Sequence, residues 1–264
     1  MTGGDLELTT DRITARLVSG RGTRGGYSLV VGGTTQSHVN PDDPSDLQLE
    51  YVRLAVHAIE AAFPPAAPIS ALHLGGGALT IPRYLAHTRP GSEQHVVELY
   101  GELYDFVIEA LPPAPGASIT AEFADARAAV EGQPPGPRWD LVVVDVFSGN
   151  AVPGHCTTEG FFRSIAARLA PGGRVVVNSL LSSGRDFTRE MAATLRAVFA
   201  HTAIIVSDAV LEDAPYGNLE FIASDEPLDL GLLERMLRRE PRPIRVIAGE
   251  ELDAFTGDAQ ARAD

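Results

Sequence analysis

A chain of 264 residues can bury one full core with a small accessory element, and its 44% hydrophobic content marks it as globular, neither disordered nor membrane-embedded. The formal net charge is −14 and all 21 basic residues are arginine, which excludes P-loop and Schiff-base lysine chemistry and disfavours nucleic-acid partners, whose phosphates an acidic surface repels. The single cysteine, Cys156, excludes an internal disulfide; with no long apolar run and no basic-then-apolar leader, the expectation is a cytoplasmic protein with no membrane partner.

In chain order, residues 1–66 form the first expected unit. β-prone stretches at 6–10, 13–18, 27–31 and 34–39, separated by Gly- and Arg-rich breaks, predict a small β-hairpin element. Leu49, Val52, Ala55, Val56 and Ile59 recur at helical spacing and predict a connecting helix over 46–62, capped by Ser45 or Asp46 and stopped by Pro64-Pro65. The second unit, 67–255, alternates strands and helices. Strands are expected at 69–74, 94–99, 118–123, 141–147, 174–180, 203–207 and 219–223, with helices near 80–87, 101–110, 124–131, 158–169 and 185–199. That alternation predicts an α/β fold with a doubly wound, mostly parallel sheet, and the closeness of the last two strands predicts that one runs antiparallel. Residues 228–253 add a helix and a short strand at 244–247, and 256–264 read as a flexible tail.

The chemistry gathers where strands end. Leu72-His73-Leu74 runs into Gly75, Gly76 and Gly77, a turn that lets a ligand approach the backbone. Thr80 stands where the third glycine of the dinucleotide fingerprint belongs, so that fingerprint is excluded. Glu98 closes the next strand at the spacing of a carboxylate that accepts ribose hydroxyls. Asp125 follows the third strand and Asp145 ends the fourth. In a parallel sheet all four points share the carboxyl edge, where ligands bind. Together they predict an adenosyl-nucleoside site. The remaining groups carry less. Cys156 reads as a small buried residue, Ser148 lacks the glycine of a nucleophile elbow at Val146, and no HxxxH or HExxH spacing exists, so no metal is expected.

These motifs in this order resemble the spermidine synthase (polyamine aminopropyltransferase) family, a branch of the class I S-adenosylmethionine-dependent methyltransferase fold, over about residues 36–224. The resemblance implies a seven-stranded, Rossmann-like methyltransferase-type sheet, and it implies roles. Gly75–Gly77 look like the start of the family's GGGDGG loop and would hold the methionine-derived part. Gln36 is placed with the nucleoside site. Glu98 matches the ribose-binding glutamate and Asp125 the aspartate that reads the adenine amino group. Asp145 and Ser148 occupy the two acidic positions of the DxxD motif. Tyr51, His57 and Tyr216 would surround the acceptor. The co-substrate would be S-adenosylmethionine or its decarboxylated form, the partner a small-molecule acceptor, and the assembly a homodimer through the N-terminal β element.

The chain departs from that family where the amine is handled: Ala78 replaces the loop aspartate, Ser148 the second acid of DxxD, and Val52-Arg53 a His-Glu pair. A serine without a partner is no substitute for a carboxylate base. Three readings stay open. One is aminopropyl or related alkyl transfer by in-line attack beside a sulfonium, with Asp145 the surviving acid. Another is methyl transfer from S-adenosylmethionine, whose carboxylate Ala78 would admit and the helix start at 79–82 would welcome. The third is adenosyl binding without catalysis. Residues alone favour the second; the resemblance favours the first.

Overall fold

The structure is a computed structural model that describes residues 5–20, 25–134, 136–149, 151–180, 185–211 and 217–264. Four short strands, β1 (Leu6–Thr9), β2 (Thr14–Ser19), β3 (Tyr27–Val31) and β4 (Thr34–Val39), make an antiparallel meander in chain order. Alternation along β2 and β3 turns Ala15, Leu17 and Leu29 inward, where they meet Leu103, Val107 and Ala78 of the following domain. The expected hairpin element is therefore a four-stranded sheet seated on the larger unit.

Helix α1 (Glu50–Ala62) is shorter than expected. Asp46 is spent in the preceding turn, where its carboxylate accepts from Asn40 Nδ2 at 3.3 Å and from Gln48 Nε2, so the helix begins after Leu49 without a side-chain cap. Its end falls at Phe63, just before the proline pair.

The larger unit continues with β5 (Ser70–Leu74), α2 (Thr80–Thr88), β6 (Glu93–Glu98), α3 (Gly101–Ala110), β7 (Ser118–Phe123), α4 (Ala126–Gly132), β8 (Trp139–Val144), α5 (Glu159–Ala166), β9 (Leu169–Leu180), α6 (Arg185–Val198), β10 (His201–Ser207), α7 (Asp208–Leu211), β11 (Asn218–Ser224), α8 (Leu230–Leu237), β12 (Ile244–Ala248) and α9 (Gly249–Thr256). The sheet order is β12-β10-β11-β9-β8-β5-β6-β7. Strands β7, β6, β5, β8 and β9 are parallel, while β11 enters antiparallel between β9 and β10. The expected seven strands are all present, and β12 adds an antiparallel eighth at the edge beside β10.

Central strands are apolar on both sides because helices cover both faces. Val142, Val144, Val175 and Val177 join one core with Phe161, Phe162 and Met191 of α5 and α6. Leu141, Val143 and Val176 join a second core with Val52, Val56 and Ile59 of α1 and Leu233 of α8. The tail is packed, contrary to the expectation of fraying. Arg262 accepts from Glu159 N at 2.8 Å and donates from its own N to Thr194 Oγ1 at 2.9 Å, and Asp264 reaches Thr158 Oγ1 at 2.6 Å and Arg127 at 2.7 Å. Side chains of a short polar tail thus find fixed partners on α4, α5 and α6.

Candidate functional site

Register places the candidate residues in one line. Leu74 pairs with both Val97 and Val144, Val144 with Val177, and Asn178 with Glu220. One residue beyond the first three pairings, Glu98, Gly75, Asp145 and Asn178 follow one another across β6, β5, β8 and β9, and Glu220 on β11 ends the row. Side chains on neighbouring strands at one level share a face. Here it is the face that α1 covers, because Val143, Val176 and Ile222, two residues away along their strands, belong to the α1-side core.

The glycine turn is built by close approach. Gly75 has φ +96°, and a Cβ there would strike the carbonyl oxygen of Asp145, so only glycine lets β5 pass that close to the end of β8. Gly77 (φ +50°) lies against Ser37 Oγ of β4. Glu98 staples the turn from the other side, with Oε2 accepting from Gly76 N and Oε1 from Tyr100 N, each at 3.0 Å. Each oxygen keeps a further lone pair for a ligand. Leu99 and Phe123, the exposed large apolar side chains beside Glu98 and Asp125, offer apolar surface at the same edge. A glycine cradle, an adjoining carboxylate and apolar flanks fit an adenosyl group.

Asp125 caps α4, accepting from Ala128 N at 3.1 Å, and meets His155 Nε2 at 2.7 Å. Burial pushes its pKa up, but the Ala128 N–H and the His155 ring outweigh that and hold it below the usual range. Cys156 is buried as expected, its thiol pushed up to about 11 by burial and by Asp125. Ligand-capable atoms of Asp125, His155 and Cys156 lie within 4.8 Å of one another. Sequence spacing did not anticipate that cluster, because a strand end and a short turn bring its members together.

Asp145 is desolvated, and burial lifts its pKa to about 6, with the Asn178 bond opposing the rise and the charge of Glu98 adding to it. Asn178 Nδ2 donates to Asp145 Oδ1 at 2.8 Å, and Asn178 Oδ1 accepts from Asn218 Nδ2 at 2.9 Å. Glu220 is fully buried, and neither carboxylate oxygen has a partner among the described residues. Burial, then the charge of Asp145, push its pKa well above the carboxylate range. Tyr51 closes the group from α1. Its hydroxyl donates to Gln36 O at 2.8 Å, and burial with Asp145 and Glu220 raises its pKa strongly. A cavity of ≈ 20 Å³, the size of one water, lies among Tyr51, Ser37, His73, Gly75, Thr80 and Asp145. Burial holds His73 neutral with a pKa of about 4; its Nε2 bonds Gln94 Oε1 at 3.0 Å and its Nδ1 has no partner among the described residues.

Several expected roles are not placed at this site. His57 Nε2 is turned to Glu240 Oε1 at 2.9 Å and Arg53 Nε to Glu240 Oε2 at 2.9 Å, so both basic groups of α1 join it to the end of α8. Ser148 is exposed and paired through its backbone with Ala151, outside the cavity. Gln36 contributes its carbonyl to Tyr51, and its neighbour Ser37 is the residue that lines the cavity. Ala78 is fully buried in the core cluster that includes Ile13, Leu17, Leu29 and Leu103. The first turn of α2 is also buried, with Thr80 Oγ1 donating to His38 O at 3.0 Å. Thr80, Ile81 and Pro82 of that turn border the same small cavity. Tyr216 lies outside the described residues.

Comparison with known proteins follows the same line. No family model matches the chain. A polyamine aminopropyltransferase of Vibrio vulnificus (strain CMCP6) is 27% identical over 164 residues, 60% of this chain and 52% of that protein. The chain thus spans about half the length of this curated relative. A crystal structure of a probable spermidine synthase from Corynebacterium glutamicum ATCC 13032 superposes with a TM-score of 0.91 at 29% identity, covering 100% of this chain and 97% of that one. The chain is similar in sequence and fold to these proteins. Human methyltransferase-like protein 13 in complex with SAH, at a TM-score of 0.55 and 17% identity over 72% of this chain and 91% of that one, shares the fold alone. The chain thus carries a methyltransferase-type sheet with a four-stranded antiparallel N-terminal sheet. No helix among its described residues is long and apolar enough to cross a membrane.

Proposed function

We propose that the chain is an aminopropyltransferase-like enzyme that binds a decarboxylated adenosyl sulfonium and transfers its aminopropyl group to a small amine. The observation that carries this reading is the acid row: Glu98, Asp145 and Glu220 on one level of one sheet face, the last two desolvated. Such a surface disfavours a co-substrate carboxylate and favours cationic nitrogen. The resemblance to proteins named polyamine aminopropyltransferase and probable spermidine synthase points the same way.

In this reading Glu98 holds the ribose hydroxyls, Gly75–Gly77 admit the sulfonium side of the nucleoside, and Asp125 takes the adenine amino group. When bound, the sulfonium supplies the chemistry: the acceptor nitrogen bonds the carbon beside sulfur, and that carbon–sulfur bond breaks with its electron pair left on the thioether. Asp145, ionised above a pH of about 6, accepts the proton that the attacking nitrogen loses. Asn178 fixes the orientation of that carboxylate through the 2.8 Å bond. Tyr51 covers the acceptor side from α1 and limits water entry. Positioning supplies most of the rate, as it does for a displacement whose electrophile is already activated.

The test is turnover. Purified chain is incubated with decarboxylated S-adenosylmethionine and 1,4-diaminobutane, and methylthioadenosine is quantified against a reaction with S-adenosylmethionine. Methylthioadenosine formed together with an aminopropylated amine is the expected result. Methyl transfer from S-adenosylmethionine, or no product from either, overturns the reading.

A further inference from the structure

Asp125, His155 and Cys156 offer three different donors, a carboxylate oxygen, an imidazole nitrogen and a sulfur, whose atoms lie within 4.8 Å of one another. Local spacing predicted no metal, because the donors come from two segments. Asp125 precedes α4, and His155, 30 residues on, shares the turn 154–156 with Cys156. That turn is tied down. Arg127 Nη1 donates to His155 O and to Thr158 Oγ1, each at 3.2 Å, and the Arg127 backbone N–H donates towards the Cys156 sulfur. The Arg127 guanidinium is itself neutralised by Glu131 and Asp264, each at 2.7 Å.

The carboxylate is also oriented. Asp125 Oδ1 accepts from Ala128 N at 3.1 Å, and Oδ2 is the oxygen that meets His155 Nε2 at 2.7 Å. A ligating carboxylate held through its other oxygen is the outer support that metal sites use. Cys156 is 1% exposed, which fixes the sulfur, whereas the side chains of His155 and Asp125 are 49% and 41% exposed and able to adjust. Tetrahedral zinc places nitrogen, oxygen and sulfur donors roughly 3.3–3.6 Å apart, so the Asp125–His155 pair need open by only roughly 0.6 Å. Sulfur with imidazole selects zinc over magnesium or calcium, which take oxygen.

We propose that Asp125, His155 and Cys156 form a three-donor Zn²⁺ site that shares Asp125 with the nucleoside, so that the metal and the adenosyl ligand exclude one another. The thiol gives its proton to solvent as the zinc–sulfur bond forms, and His155 binds through Nε2 with its remaining hydrogen on Nδ1. Three protein donors leave a fourth position open on the exposed side. The exclusion rests on the proposed function, in which Asp125 takes the adenine amino group and zinc on Oδ2 would stand in that group's place. The metal site itself does not depend on that reading.

The tag-free chain is titrated with Co²⁺ as a spectroscopic probe, then with Zn²⁺ against a chromophoric chelator. Co²⁺ is expected to give a near-ultraviolet thiolate-to-cobalt band that one equivalent of Zn²⁺ abolishes. Cys156→Ser is expected to lose the band. His155→Ala, a change at a half-exposed side chain that spares the core, is expected to weaken Zn²⁺ at least about 10-fold, the lower end of what even outer partners cost. Methylthioadenosine affinity, read by calorimetry, is expected to fall at least about 10-fold under saturating Zn²⁺ in the native chain and not in His155→Ala. No thiolate band, or native Zn²⁺ affinity in both variants, overturns the site. Undiminished methylthioadenosine binding with Zn²⁺ bound overturns the exclusion. A thiolate band in a chain that binds no methylthioadenosine overturns the proposed function and leaves the metal site standing.

Discussion

Asn178 donates its amide hydrogen to Asp145 Oδ1 at 2.8 Å while sitting directly opposite Glu220 in the β9–β11 ladder. One asparagine therefore separates two carboxyls of unequal character. Asp145 is helped towards ionisation by the bond, and Glu220 receives nothing. Asn178→Ala removes the one contact among the described residues that opposes the raised pKa of Asp145. The pH limb of kcat governed by Asp145 is expected to move alkaline from about 6, read from a pH–rate profile.

The same group makes stability depend on pH. A carboxyl whose folded pKa exceeds its unfolded value binds more protons when folded. Its contribution is therefore fully present below the unfolded value near 4 and lost as pH rises through about 6. Asp145→Asn abolishes that loss. The variant is expected to be more stable than the native chain at pH 8 by about 1–3 kcal/mol, with the difference shrinking towards pH 4, as followed by denaturant midpoints. Equal effects at both pH values would show that ionisation is not the cause.

Glu98 holds the turn and, in the proposed function, the ribose. Glu98→Ala frees Gly76 N and Tyr100 N and removes the ribose acceptor, so methylthioadenosine affinity is expected to fall by about 1.5–3 kcal/mol in calorimetry. Unchanged affinity refutes the ribose role.

Ala78→Asp restores the family residue on paper, yet in the fold it places a carboxylate among Ile13, Leu17, Leu29 and Leu103. A loss of roughly 2–4 kcal/mol in stability is expected, with no gain in transfer activity. A stable variant with enhanced turnover would show that position 78 faces the ligand.

Gly75→Ala tests the cradle itself. With φ +96° and the Asp145 carbonyl in the way of a Cβ, the variant is expected to lose about 1–3 kcal/mol of stability, together with adenosyl binding, both measurable by thermal shift with and without ligand.

The positions of the proposed nucleoside half were legible in the sequence because their signals are local. Glycines after a buried strand and acids at strand ends announce themselves without tertiary information, and Gly75, Glu98, Asp125 and Asp145 all stand at the carboxyl edge. The other buried polar groups near Asp145 were not. Asn178 and Glu220 sit inside strands: Asn178 stands beside Asp145 through the parallel β8–β9 pairing, and Glu220 opposite Asn178 through β11 entering antiparallel beside β9, an order that no periodicity reveals. His57 was expected near the acceptor by the resemblance alone, and Glu240, 183 residues later, binds its ring. The end of α8 was invisible from α1. Asp46 as a cap and the tail as a frayed end failed for the same reason: each polar side chain had a tertiary partner that local propensity does not show.

The most direct test of the adenosyl-amine account is a calorimetric comparison of decarboxylated S-adenosylmethionine with S-adenosylmethionine on the native chain. The acid row predicts that the decarboxylated sulfonium binds, and binds more tightly, because no carboxylate then faces Glu98, Asp145 and Glu220. Tighter binding of S-adenosylmethionine, or binding of neither, contradicts it.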